Sequence, residues 1–208
     1  MPRRLLTCLL VSAALPAVAL AALPDLVVRA GAVEANLHQD DLDSESRLGV
    51  AAGLGADLPL IEGFHLAPEV WYQQRGFEKA NFAGVSPLEL RTEVLSVPVL
   101  VAYHFAARSV DPRAFVGLAA DVLLGAEARR DADWVDVSDD PGSESLSWSV
   151  VLGGGVRWHD LDLDVRYVHG LSAATTLDYD LFDDTLSQMQ AYEDATETTW
   201  VFTLGYWF

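Results

Sequence analysis

Apolar residues recur at every second position in eight stretches of this chain, and a period of two is the signature of a strand with two unlike faces. The stretches lie near 26–37, 47–58, 64–75, 88–105, 113–126, 146–158, 161–171 and 198–208. The last is the most regular: Trp200, Phe202, Leu204, Tyr206 and Phe208 alternate with Thr199, Val201, Thr203, Gly205 and Trp207 up to the final residue. Five large apolar groups on one face would be an aggregation hazard at a water-exposed edge, but they are favourable in lipid when both edges are paired. The connections alternate as well. Long ones span 38–46, 76–87, 127–145 and 172–197; short ones span Pro59–Gly63, Ala106–Pro112 and His159–Asp160. This arrangement predicts an all-β chain, an eight-stranded antiparallel up-and-down transmembrane β-barrel with both termini at the short-turn end. A Greek-key sandwich gives no reason for the alternation, and a soluble β-sandwich or barrel that binds a ligand is the principal rival. No helical period of useful length appears, although 177–192 has room for a short helix in a loop.

Parity separates the faces. Phe64, Leu66, Val70 and Tyr72 share one side of the third stretch, and His65, Glu69, Trp71, Gln73 and Arg75 the other. In the fifth, Val116, Leu118, Ala120, Val122 and Leu124 oppose Phe115, Gly117, Ala119, Asp121 and Gly125. The seventh sets Leu161, Leu163, Val165 and Tyr167 against Asp162, Asp164, Arg166 and Val168. The apolar parity also collects aromatics into two bands, as rings that prefer a bilayer interface require. Tyr72, Trp148, Tyr167 and Trp200 fall near the long-connection ends; Phe64, Tyr103, Phe105, Trp158, Tyr206 and Phe208 fall near the turns. One stretch resists. Glu89, Arg91 and Glu93 share the parity of Leu95, Val97, Val99, Val101 and Tyr103, so either the upper strand rises above the bilayer or a bulge near Thr92 changes the register. Pro98 lacks the amide hydrogen that a closed ladder uses.

The chain has 208 residues, enough for one domain, and its first 21 are set apart from the fold. Arg3 and Arg4, an apolar run from Leu5 to Val18, and Ala19-Leu20-Ala21 have the form of a cleaved signal peptide, which leaves 22–208 as the barrel domain. Cys8 lies inside the apolar run, so the mature chain has no thiol and no disulfide. The net charge of −18 argues against nucleic acid as a partner. No other stretch approaches the length of a transmembrane helix.

An eight-stranded barrel is about wide enough to be filled by its own side chains, so inward charges must pair. The candidates are Glu69, Arg75, Asp121, Arg157, Asp162, Asp164 and Arg166, expected as a partly hydrated ion-pair network and not as a conducting path. Most of the net charge lies in the long connections, with 19 acidic residues against Lys79, Arg129 and Arg130. The runs 41–45 and 178–184 offer hard oxygens to divalent cations without the glycine an EF-hand loop needs, and solvation at a crowded surface is the plainer role. Leu177, Tyr179, Leu181, Phe182, Met189 and Tyr192 in the last long connection suit an unknown protein partner or a cluster capping the barrel. His38, His65, His104 and His159 fall on separate elements without zinc-motif spacing, so no metal site and no cofactor is expected. The glycine run 153–155 lies in mid-strand, where it suits curvature better than phosphate binding.

Three resemblances add to this reading. The alternating aromatic terminus (Trp200, Phe202, Leu204, Tyr206, Phe208) resembles the C-terminal signal read by the bacterial barrel-assembly machinery. His169 and Ser172 are similar to the lipid-facing His and Ser of lipid A deacylases, but a spacing of three gives them opposite parity and no enzymatic activity is expected. The mature chain as a whole resembles the PorT-like outer-membrane barrel family, through Arg29-Ala30-Gly31, LAPEVWYQQRG (66–76), LSVPVLVAYHF (95–105), RYVHGLS (166–172) and the aromatic terminus. That resemblance implies an eight-stranded barrel in contact with outer-membrane lipid and says little about activity. A structural or interaction role through acidic extracellular loops is the functional expectation.

Overall fold

The computed structural model describes residues 24–38, 43–81, 88–105, 107, 109–130, 133–136, 146–171 and 196–208. The expected signal peptide and the acidic runs 41–42 and 178–184 lie outside them. Among the described residues nine strands form: β1 (Asp25–His38), β2 (Asp43–Ile61), β3 (Phe64–Asn81), β4 (Leu88–His104), β5 (Asp111–Arg130), β6 (Asp133–Asp136), β7 (Leu146–Trp158), β8 (Leu161–Gly170) and β9 (Thr196–Trp207). Every pairing is antiparallel, and β9 returns to β1 through twelve register pairs, from Val27–Trp207 to His38–Thr196. Eight strands thereby close a ring in sequence order, β5 passing directly to β7, while β6 pairs only with the far end of β5. Closure leaves no free edge for the terminal strand, the condition its apolar face demands. It also excludes the sandwich.

Two short connections are tight. Glu62 and Gly63 both take positive φ (33° and 84°), as a two-residue hairpin turn between right-twisted strands requires. His159, at φ 57°, opens the corresponding turn between β7 and β8. At the opposite end the strands run further than the alternation predicts. β2, β3 and β5 reach 19, 18 and 20 residues, and β6 occupies part of what reads as the 127–145 connection. About 9–11 tilted residues cross a bilayer, so roughly half of each long strand stands beyond it.

That excess length resolves the difficult strand. Glu89, Arg91 and Glu93 do face outward, above the membrane band, and they are paired there: Arg129 with Glu89 at 2.5 Å, Arg91 with Glu93 at 3.7 Å and with Glu127 at 3.9 Å. The bulge is real but lies in the neighbouring strand. Val94 pairs with Leu123 and Glu93 with Gly125, so Leu124 is the extra residue. Gly125 thus pairs with an outward residue, which corrects its placement on the inner face; the parity rule fails beyond the bulge because one residue is inserted. Pro98 is accommodated by a local lapse. The β3–β4 ladder stops at Pro68–Val99, resumes at Trp71–Ser96 and keeps its register across the gap.

The outer face is apolar from strand to strand: Leu54 is 62% exposed, Leu118 54%, Leu152 55%, Leu163 63% and Leu204 57%. The inner face buries Val33, Ala35, Trp71, Leu100, Phe115, Val151, Val168 and Val201. Apolar bodies outside and a mixed polar interior are the reverse of a water-soluble fold. Outward rings cluster at the turn end, with Phe64–Tyr103 and Tyr103–Phe105 centroids 4.9 Å apart and Tyr206–Phe208 5.2 Å apart. At the other end Tyr167 and Trp200 lie 5.1 Å apart, and Trp148 also faces outward.

Candidate functional site: a charged interior core

The alternation of β8 aims Asp162, Asp164 and Arg166 into the barrel, where they are at most 3% exposed. Three residues from other strands meet them. Arg29 of β1 donates from Nε to Asp162 Oδ2 and from Nη1 to Glu69 Oε1, both at 2.7 Å. Arg113 of β5 donates from Nη2 to Asp162 Oδ2 at 2.7 Å and to Asp164 Oδ2 at 3.2 Å. Arg166 donates to both oxygens of Asp164 at 3.0 Å, and its Nη1 and Nη2 both reach the Glu69 carboxylate. Trp71 Nε1 completes the shell of Glu69 at 2.8 Å.

Three arginines against three carboxylates leave this core neutral, and it ties β1, β3, β5 and β8 together through the centre. Neutrality matters because each buried ion costs several kcal/mol of lost hydration, offset only when partners and hydrogen bonds surround it. Aromatic rings close the core from both sides. The Arg166 guanidinium lies 4.6 Å over Trp71 and 5.2 Å from Phe115; Arg29, Arg113 and Arg157 lie 5.4, 5.6 and 4.6 Å from the Trp207 ring. Contact with a ring face favours a desolvated cation. Arg113 Nη1, Asp162 Oδ1 and Trp207 Nε1 are buried without a protein hydrogen-bond partner.

Inward glycines provide the room. A Cβ on Gly53 would lie 2.4 Å from the Trp71 ring, one on Gly205 2.8 Å from Arg29 Cγ, and one on Gly153 2.5 Å from Phe115. Within the run 153–155, Gly153 makes space for Phe115 and Gly155 for the Arg113 guanidinium, a role more specific than curvature.

Six of the seven charged positions expected inside belong there, in two groups. Glu69, Asp162, Asp164 and Arg166 form the core. Arg75 and Asp121 form a separate buried pair at 3.2 Å, with Gln73 and Ser149 as further partners. Arg157 is different: it reaches the rim, half-buried, and pairs with Asp25 at 3.1 Å. The cations that serve the β8 carboxylates are Arg29 and Arg113, which sequence reasoning missed. Both had a usable signal: Arg29 shares the parity of Val27, Gly31 and Val33, and Arg113 shares the parity of Phe115.

The histidines also differ from expectation. His65 and His104 lie on neighbouring strands with ring centroids 4.0 Å apart, beside Asp57, so separation along the chain did not keep them apart. His169 faces outward, its ring parallel to Tyr167 at 6.3 Å and its Nδ1 buried without a hydrogen-bond partner; Ser172 lies outside the described residues.

A closed ring of eight antiparallel strands with an apolar exterior, two aromatic bands and a neutralised charge core defines the class of integral membrane barrels. The chain belongs to the outer membrane protein beta-barrel domain family, whose profile matches residues 26–175, and its place is accordingly the outer membrane. No curated protein matches it in sequence. Among solved structures, Neisserial surface protein A is similar at 14% identity, covering 88% of this chain and 97% of that one, with a TM-score of 0.49. OprG from Pseudomonas aeruginosa is similar at 12% identity over 89% of this chain and 96% of its own, also at 0.49. The outer membrane enzyme PagL shares 16% identity over 86% and 97%, with a TM-score of 0.44.

Proposed function

We propose that this protein is a closed outer-membrane barrel of the PorT-like kind, neither a pore nor an enzyme, which presents its acidic long connections at the cell surface. Turns and termini then lie in the periplasm. The observation that carries this reading is the interior core: six mutually paired charges flanked by Trp71, Phe115 and Trp207 occupy the space a conducting bore would need. The role is structural or interactive, with the apolar residues of 177–192 as a protein-binding element and the acidic runs as a solvating, cation-attracting surface.

The test is made on membranes and then on purified protein. The chain should resist carbonate extraction and migrate differently on a gel when boiled and unboiled. Reconstituted in planar bilayers, it should give no stable conductance steps. Release by carbonate, or reproducible open-channel steps, would replace this reading with a soluble binding protein or a pore.

The terminal strand serves assembly in the same proposal. Phe208 is 75% exposed on the lipid face beside Tyr206, whereas Trp207 is buried against three guanidinium groups. Phe208→Ala should lower the fraction of chains incorporated at low expression and leave the stability of assembled barrels nearly unchanged. Trp207→Ala should do the reverse, destabilising the folded barrel more than it reduces incorporation. Equal incorporation of wild type and Phe208→Ala would remove the terminus as the signal for the assembly machinery.

A further inference from the structure

At the turn end of the barrel, below the charge core, four side chains from four consecutive strands converge. Asp57 ends the inward row of β2, His65 begins that of β3, His104 closes β4 and Asp111 opens β5. Asp57 Oδ1 is 3.0 Å from His65 Nδ1, and Asp57 Oδ2 is 3.4 Å from His104 Nε2. His104 Nδ1 lies 2.7 Å from Asp111 Oδ2. One ligand atom from each of Asp57, His65 and His104 lies within 4.8 Å of the others. We infer that this cluster is a zinc site, with Asp57, His65 and His104 as ligands and Asp111 as the residue that orients His104.

Three features of the arrangement lead there. The first is the tautomer. When the His104 ring is neutral, its 2.7 Å contact to the Asp111 carboxylate puts the single proton on Nδ1 and turns the Nε2 lone pair towards a second carboxylate, Asp57, 3.4 Å away. Two acceptors turned towards each other are satisfied by a cation between them. Second, His104 bonded through its other nitrogen to Asp111 reproduces the carboxylate–histidine–metal relay that fixes ring orientation in metal sites. Third, the two carboxylates Asp57 and Asp111 beside two imidazoles, which ligate metals in their neutral form, offer two negative charges to a divalent ion. Mixed imidazole and carboxylate donors suit zinc, which takes three protein ligands with a fourth position left for water.

Access and rigidity fit as well. The His65 and His104 side chains keep 22% and 12% of their exposure while Asp57 keeps 6%, so an ion can enter from the turn-end solvent and be held on a buried carboxylate. The positions are set by the barrel wall and not by a loop: His65 follows the Glu62–Gly63 turn, and the His104 amide bonds the Gly63 carbonyl at 2.8 Å. The site is distinct from Asp43 and Glu45, which lie at the opposite end of β2 from Asp57. It involves no member of the charge core.

The test uses the tag-free mature barrel, refolded in detergent, stripped with chelator and titrated with zinc by competition against a fluorescent chelator. Wild type should bind one equivalent per barrel, and Co(II) in place of zinc should give the visible absorption bands of a tetrahedral site. His104→Ala and the double variant His65→Ala/His104→Ala should lose that equivalent. Asp111→Asn should keep it with affinity weakened by about 10–100-fold, the usual effect of removing a partner that orients a ligand. Each variant is first checked for the boiled-versus-unboiled gel shift, so a misfolded barrel is not counted as a lost site. No saturable binding by wild type would overturn the proposal and leave the cluster held by protons alone. Undiminished binding by the double variant would overturn it too, assigning the ion to the acidic connections.

Discussion

Glu69→Gln should cost the barrel about 3–5 kcal/mol, the range for removing one partner from a buried ion pair. Glu69 is 5% exposed and accepts from Arg29, Arg166 and Trp71, so the amide keeps the shape but leaves the core with three arginines and two carboxylates. The surplus cation is then a buried guanidinium without its carboxylate. If the loss comes from charge imbalance, a second substitution that restores neutrality should recover much of it. Arg166→Gln does so, because Arg29 and Arg113 then face Asp162 and Asp164. Denaturant unfolding in lipid vesicles of both single variants and the double should therefore give losses that are less than additive, by up to about 3 kcal/mol. Strictly additive losses would show that the six charges do not act as one unit. A companion comparison locates the partners: the Asp164→Asn defect should be relieved by Arg113→Gln and not by Arg157→Gln, since Arg157 is committed to Asp25.

The second large effect belongs to the other face of the same strand. Leu163 is 63% exposed and pairs across the sheet with Val156 and Leu204, both exposed apolar residues. Along β8 it lies between Leu161, level with Tyr206, and Tyr167, level with Trp200, and so between the two aromatic bands. An arginine on the lipid face near the bilayer midplane costs roughly 2–4 kcal/mol, falling towards zero at either interface. Leu163→Arg should lower unfolding stability in vesicles by that amount, and no substitution inside the barrel should suppress it. A neutral Leu163→Arg together with a stabilising Asp164→Leu would mean that the faces are inverted and that the chain does not span a membrane.

How much of this was legible without coordinates differs from residue to residue. The number of strands that close the ring, the order of long and short connections, and the face of nearly every residue from Phe64 to Arg75 and from Leu161 to Val168 could be read directly. Side-chain alternation is a local property of extended backbone, so it needs no partner strand to be visible. The error at Gly125 shows where that reading ends: one inserted residue at Leu124 reverses parity, and nothing in its composition announces the insertion. Strand length was underestimated for a related reason. Above the membrane the outward face turns polar, as at Glu89, Arg91 and Glu93, so the apolar alternation that marks a strand fades while backbone pairing continues, as it does through Glu89–Arg129.

Which inward charges meet was decided by the closed barrel. Parity shows that Asp162 and Arg157 face inward, but the stagger between strands fixes their height along the axis. Arg29 and Arg113 reach Asp162 from β1 and β5, whereas Arg157, directly across from Asp162 in the β7–β8 register, turns its side chain to the turn-end rim, to Asp25 and the His159 carbonyl. The same rule brings His65 and His104, 39 positions apart in the chain, into ring contact through the register Phe64–Tyr103 and His65–Ala102. Period and composition belong to each strand alone, so the sequence determined a barrel, its inside and its outside. Pairing register is a property of strands taken together, so only the tertiary structure decided which residues form the charge core and which form the histidine cluster beneath it.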